Sequence, residues 1–286
     1  MPQITKKQHY IPRFYLRNFS NNNKMIYQYD VSTDNSSFVS INSICYQNYL
    51  YEFKDENDEL IYCNWIENIL SKWEKEFSII INSIKNKAKN KRNCKTRCFL
   101  TSKEKDFLAF FISLQSQRGS YYIKEIENKL EEKWGDVLEK NSCRNAALIA
   151  SLPIYKPFNE VKDHKIISTF KTLRNMSFII GFTDNGVFFT SDNPITMIYE
   201  NNPNDIEEVI FPLASNLVLY MLKMEKSKAN FKNRLYPMDE NNINYINNVT
   251  ISRCTRWIFS KNTFNDKDYN RIKKFKKYQL SKHQMN

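Results

Sequence analysis

Of the three histidines in the chain, His9 alone lies in a dense apolar setting, within KKQHYIPRFYLRNFS at residues 6 to 20. An imidazole titrates near neutrality and suits a general acid or base. A histidine amid aromatics is also often hydrogen-bonded core. Arg13 follows four residues on, and Pro12 between them fits only the first turn of a helix starting near Ile11. His9 would then stand just before free helical amides, and imidazole, guanidinium and amides facing one spot would suit a phosphate group. Further along, Asp192 and Asn193 lie in FFTSDNPI, a strand end followed by a turn. Asp and Asn in such a turn commonly bond back to the chain, and the residue before proline is extended. The alternative is a carboxylate presented at a strand end to a pocket.

Composition excludes several classes. The 286 residues include only four glycines, Gly119, Gly135, Gly181 and Gly186, and no phosphate-cradling glycine loop of the P-loop or Rossmann kind. G-x-S-x-G and H-E-x-x-H are absent as well. The six cysteines, at 45, 63, 94, 98, 143 and 254, show no C-x-x-C pair and no histidine at metal-ligand spacing, so reduced, mostly buried thiols are expected rather than a structural zinc site. There is no apolar run of membrane-spanning length and no signal-peptide core near residue 1, so the expected setting is a bacterial cytoplasm. A net charge of +12 favours polyanionic partners, although a lysine- and asparagine-rich codon bias could produce it too.

The elements that must position these residues can be read from periodicity. MIYQYD and SSFVSI predict a hairpin. Tyr62, Ile66, Ile69, Trp73, Phe77, Ile80 and Ile84 recur at helical steps and form the stripe of a long helix. KNKAKNKRNCKTR, residues 85 to 97, ends it with seven cations and no acid, either a phosphate-contacting loop or a solvated helix end. TSKE opens the next helix with a capping box. That helix buries Phe107, Leu108, Phe111 and Leu114 and carries Gln115 and Arg118 on the same face. Another helix is expected through Tyr122, Ile126, Leu130 and Trp134, before LPIYKPF interrupts. In the second half, MSFIIGFTDNGVFFTSDNP predicts a hairpin about DNG, with Val187 and Phe189 returning beside Phe178, Ile180 and Phe182. ITMIY, EVIFPL and LVLYML read as strands. A helix through Ile243, Ile246 and Val249 precedes a strand or turn at Trp257 to Phe259, and NRIKKFKKYQLSKH is a basic amphipathic tail, frayed at its end. The fold class is α+β, a helical first half packed on an antiparallel-rich sheet in the second half.

QHYIPRFYLRNF, FISLQSQRG, FFTSDNPI, FPLAS and INNVTISRCTRWIFS occur in that order from about Lys7 to Ser260. Together they resemble the DUF4238 family of bacterial and phage proteins, some associated with anti-phage defence. The resemblance implies one DUF4238-like domain over residues 1–260 and a basic tail over 261–286. Its motif residues here are His9, Tyr10, Pro12, Phe14, Leu16 and Phe19; Gln115 and Arg118; Thr190 to Pro194; Pro212 and Leu213; and Asn247 with Arg253 or Arg256. Packing accounts for the apolar members, while His9, Gln115, Arg118, Asp192 and Asn193 ask for convergence on a site.

The expectation is therefore a defence effector of nuclease type, acting on nucleic acid or nucleotide phosphodiesters. His9 would be general acid or base. Arg118, helped by Arg13, would stabilise phosphorane charge. Asp192 would orient His9 or hold an ion, and Gln115, Asn193, Ser191 and Arg253 would position substrate. The mechanism would use no metal or a single divalent ion, and a homo-oligomer is compatible with it. The basic loop and tail would track the nucleic-acid backbone. Two alternatives stand beside it: a non-catalytic sensor or binding module for a phage component or nucleotide signal, and a buried polar network that only fixes the fold.

Overall fold

Pro12, with φ set for a helical first turn, immediately precedes α1 (Arg13–Leu16), and β1 (Lys7–His9) ends just before it. The structure is a computed structural model, and it describes residues 3–90, 98–152, 164–200, 202, 205–226 and 233–283. β2 (Met25–Asp30) and β3 (Asn35–Ser40) form the hairpin that alternation predicts, with Tyr27 opposite Phe38. β4 (Tyr46–Asn48) returns to pair with β1, and β5 (Phe53–Lys54) pairs with β6 (Leu60–Ile61). Four helices follow in succession: α2 (Trp65–Lys89), α3 (Ser102–Gln115), α4 (Ser120–Trp134) and α5 (Ser142–Ser151). After α6 (Lys165–Arg174) come β7 (Ser177–Phe182), β8 (Thr190–Ser191), β9 (Thr196–Tyr199), β10 (Ile206–Ala214), β11 (Leu217–Leu222) and β12 (Arg234–Pro237). α7 (Glu240–Arg253), β13 (Trp257–Ser260) and α8 (Asp266–His283) complete a mixed α+β fold with antiparallel-rich sheets.

The chain divides into two compact units, each built from separated segments. The first comprises residues 1–12, 45–80 and 103–174. Its core is aromatic: Phe77 lies 4.6 Å from Phe111 and 5.9 Å from Phe110 between ring centres, and Trp73 lies 4.7 Å from Phe110. Burial of each such ring contributes about 1.5–3 kcal/mol. α3 is buried on every side from Leu108 to Gln115, so it runs through this core rather than over it.

The second unit comprises residues 13–44, 81–102 and 175–286. It holds a five-stranded sheet in the order β12-β7-β11-β10-β9 and a four-stranded sheet in the order β3-β2-β13-β8. α7 serves both. Ile246, with Ile243 and Val249, packs with Ile210 and Val218 of the larger sheet. Ile251 and Cys254, at and just beyond its C-terminus, pack with Tyr29 and Ile258 of the smaller one. Ile272 of α8 joins that second cluster, so the tail expected to fray is docked by an apolar face through its first half.

Three expectations are corrected. The segment after DNG does not return beside β7, whose two edges are taken by β11 and, in parallel, by β12. The chain instead crosses to the four-stranded sheet, where β8 pairs with β13. Gly186 accordingly keeps a negative φ. On α4 the buried positions are Ile123 and Glu127, one step round from the stripe expected, and Trp134 is exposed. On α2 the buried stripe is Ile66, Leu70, Phe77, Ile81, Ile84 and Ala88, while Tyr62 precedes the helix and is exposed. Residues 91–97 of the basic loop, Cys94 among them, and most of LPIYKPF lie outside the described residues.

Candidate functional site

Arg118 leaves the end of α3 two residues beyond Ser116 and is 1 % exposed. Its Nη2 donates to the His9 carbonyl at 2.7 Å, Nη1 to Glu74 Oε1 at 2.8 Å, and Nε to the Tyr51 hydroxyl at 3.3 Å. The Tyr51 hydroxyl in turn donates to the Arg118 carbonyl at 3.0 Å. Burial works against the guanidinium charge, but Tyr51 and Glu74 outweigh it and the arginine stays protonated. Burial also pushes the Tyr51 hydroxyl up to about 12. Gln115 donates to the Tyr10 carbonyl at 2.8 Å. His9 itself ends β1 half-buried, its ring tilted on Tyr46 at 5.5 Å.

The same network continues through residues that spacing did not single out. Gln8 is fully buried, donating to Glu52 Oε1 at 2.5 Å and accepting from the Tyr51 amide at 2.7 Å. Glu52 is also buried and accepts the Asn64 amide on both oxygens. Gln8, Glu52, Gln115 and Arg118 thus all meet backbone rather than solvent, as a satisfied core requires.

Asp192, Asn193, Ser191 and Arg253 all belong to the second unit, as does Arg13. The Asp192 carboxylate accepts the amides of Thr255, Arg256 and Trp257 at 2.9, 2.8 and 3.2 Å. Burial pushes its carboxyl up to about 6, against the pull of those three donors. It also raises the neighbouring Cys254 thiol, up to about 12. Ser191 Oγ donates to the Asn193 carbonyl at 2.8 Å and accepts its amide, and Asn193 Nδ2 reaches the Arg253 carbonyl at 3.2 Å. Asn247 on α7 accepts the Phe189 amide and donates to the Val187 carbonyl. The turn is thereby knitted to the end of α7. Arg256 forks onto Asp30 through Nε and Nη2 at 2.9 and 2.7 Å and lies over the Trp257 ring at 4.8 Å. That fork holds the Asp30 carboxyl far below the usual range in spite of its burial. Arg13 lies near Asn42 at 3.5 Å, and the Arg253 side chain is exposed.

The second unit also contains a cavity of about 590 Å³ between α7 and α8, lined by Asn248, Lys267, Asn270, Arg271, Lys274 and Phe275. Lys267, Arg271 and Lys274 follow at i, i+4 and i+7, which sets them on one face of α8. Arg271 donates to Asn244 Oδ1 of α7 at 2.6 Å, and none of the three cations meets a carboxylate among the described residues. Asn248 Oδ1 is buried and has no hydrogen-bond partner among the described residues.

The family model described as a protein of unknown function, DUF4238, matches residues 7–264 of the 286. The chain belongs to the DUF4238 family. No curated protein and no solved structure matches it.

In this DUF4238 protein the motif residues fall in two groups, one per unit. His9, Gln115 and Arg118 gather in the first through side chain-to-backbone bonds, and Asp192, Asn193, Ser191 and Asn247 do so in the second. Tyr15 extends the second group, bonding Thr190 Oγ1 at 2.7 Å and the Pro212 carbonyl at 2.8 Å. Gln8 and Glu52 went unread because an isolated buried glutamine or glutamate has no local signature. The cationic stripe of α8 was readable as spacing, but Asn248 on a different helix was not. Among the described residues no cluster of His, Cys, Asp and Glu could hold a metal ion, and no helix is long and apolar enough to cross a membrane.

Proposed function

We propose that this DUF4238 protein is a binding module for a phosphate-bearing ligand, seated between α7 and α8, that works without turnover by His9, Arg118 and Asp192. The observation that carries this reading is the trio Lys267, Arg271 and Lys274 lining a cavity, with no carboxylate pairing them among the described residues. Three cations on one face attract a polyanion, and their spread along α8 covers about 10 Å. Further support comes from Arg118, whose Nε, Nη1 and Nη2 are all engaged by protein and which has 1 % of its surface exposed. A guanidinium so committed leaves little to offer a phosphorane. In a defence setting, such a module would report a nucleotide or nucleic-acid signal to a partner.

The test is titration of the full chain with inorganic tripolyphosphate at low and moderate salt. Saturable binding is expected, weakened by salt and weakened roughly a hundredfold when Lys267, Arg271 and Lys274 are all changed to glutamine. Absence of saturable binding, or indifference to the triple change, overturns the reading. So does release of product from nucleotides or nucleic acid that depends on His9.

A further inference from the structure

Among the described residues β3 is the longest strand at a sheet edge, and its sequence does little to protect it. The other edges of the two large sheets are short or interrupted: β8 has two residues, β9 meets β10 through a register shift, and β12 ends in Pro237. β3 runs for six residues, NSSFVS, without proline, charge or bulge, and its register on β2 is unbroken from Asn35 to Ser40. Exposed edges are usually defended by one of those devices, lysine above all. The chain carries 43 Lys and Arg, and none of them falls on β3. We infer that this edge seats a second copy of the chain, joined by antiparallel β3–β3 pairing about a two-fold axis. The inference does not rest on the phosphate-binding reading, since no residue of β3 lines the α7–α8 cavity.

The phase of the ladder shows which main-chain groups are on offer. The Val31 amide donates to the Arg256 carbonyl at 2.9 Å, and the Ile41 amide donates to the Lys24 carbonyl at 3.2 Å. Antiparallel pairing alternates, so the main chain of Asn35, Ser37 and Val39 faces β2, and that of Ser36, Phe38 and Ser40 faces away from it. The Ser40 carbonyl already accepts the Ser43 amide at 3.0 Å. The amides of Ser36, Phe38 and Ser40 and the carbonyls of Ser36 and Phe38 are thus presented to a further strand. Phe38 is 43 % exposed, with its ring edge-on to Tyr27 at 5.0 Å.

A second β3 complements this row. Setting Phe38 opposite its counterpart pairs the two rings and brings Ser36 opposite Ser40 at both ends, with small neutral side chains throughout. Two residues further, Asp34 comes opposite Asn42, where Arg13 lies at 3.5 Å, so a carboxylate of each copy approaches a guanidinium of the other. Asp34 also holds Lys276 of its own chain at 3.1 Å, which fixes its position beside the edge. Such pairing joins two four-stranded sheets into one and consumes both edges, so assembly closes at the dimer.

Sedimentation velocity of the full chain across about 1–100 μM should show a reversible monomer–dimer equilibrium. Phe38→Lys sets two like charges opposite each other and should weaken the dimer about tenfold or more. Ser40→Pro removes an outward amide and no rung of the β2–β3 ladder, and it makes the same test if the lysine variant folds poorly. Hydrogen exchange at the amides of Ser36, Phe38 and Ser40 should slow as concentration rises, which a dimer built on another surface would not cause. A chain that stays monomeric throughout overturns the inference. So does a dimer indifferent to both substitutions, a dimer in which those amides still exchange freely, or growth beyond two copies.

Discussion

Arg118 and His9 meet through a main-chain carbonyl: the guanidinium Nη2 donates to His9 O across 2.7 Å. The two residues are 109 positions apart, and the bond ties the end of β1 to the exit of α3. With Glu74 and Tyr51 on its other nitrogens, Arg118 acts as a cross-brace of the first unit. Arg118→Ala strands Glu74 and the His9 carbonyl and should cost about 3–5 kcal/mol. Arg118→Lys keeps the charge but cannot make three diverging bonds, and a loss of about 2 kcal/mol is expected. Chemical denaturation measures both. A lysine variant as stable as the parent sinks the brace.

His9 separates scaffold from catalyst. Its carbonyl serves Arg118 whatever the side chain, so His9→Ala should keep the fold at the expense of its ring packing on Tyr46, about 1 kcal/mol. Ligand affinity at the α7–α8 cavity should be unchanged. A drop of two to four decades in some measured turnover would instead restore His9 as acid or base.

Asp30 gives the second unit an acid limit. The Arg256 fork holds its folded carboxyl well below the ordinary 3.8. A depressed carboxyl contributes stability that is present above about pH 4 and lost as pH falls below it. Asp30→Asn should therefore cost about 2 kcal/mol at pH 7, and the gap to wild type should close below pH 4. A gap independent of pH would show that the ion pair is not its source.

Asp192 works in a different window and with the opposite sign. Its folded carboxyl stands near 6 against an ordinary 3.8. A raised carboxyl contributes stability that is full below about pH 4 and lost as pH climbs through 6. Asp192→Asn removes that slope, so the variant's unfolding free energy should be flatter than wild type between pH 4 and 6. Asp192→Ala leaves the Thr255, Arg256 and Trp257 amides unpaired and should cost about 1–3 kcal/mol at any pH.

Gly181 reports on the β7 crossing. It lies inside β7 with β11 on one side and β12 on the other. A Cβ there would stand 2.0 Å from Met238 Cε and 2.8 Å from Val218 Cγ1. The methionine end can swing aside, but the branched valine cannot, and Gly181→Ala should lower stability by about 1–3 kcal/mol. An unchanged melting temperature would mean that the strand relaxes freely.

What could be read in the sequence follows from the range over which each signal acts. The β2–β3 hairpin and the courses of α2, α3 and α7 rest on alternation or helical spacing within a single segment, and these were legible from type and order alone. The order of motifs that marks the DUF4238 family was equally open, since it needs no geometry. The partners of β7 were not, because a strand's edge is filled by whichever segment packs best, here residues 217–222 and 234–237 rather than the adjacent 187–189. The environment of Arg118 was also closed to reading, its partners lying 44, 67 and 109 positions away.

The sequence by itself determined the fold class, the family and the supply of imidazole, guanidinium and carboxylate groups. Only the tertiary structure decided that Arg118 is braced in a core, that Asp192 caps three amides, and that Arg271 of one helix bonds Asn244 of another. Side-chain chemistry is carried residue by residue, but whether a charge meets solvent or a buried carbonyl depends on chain segments brought together from far apart, and that juxtaposition has no local code.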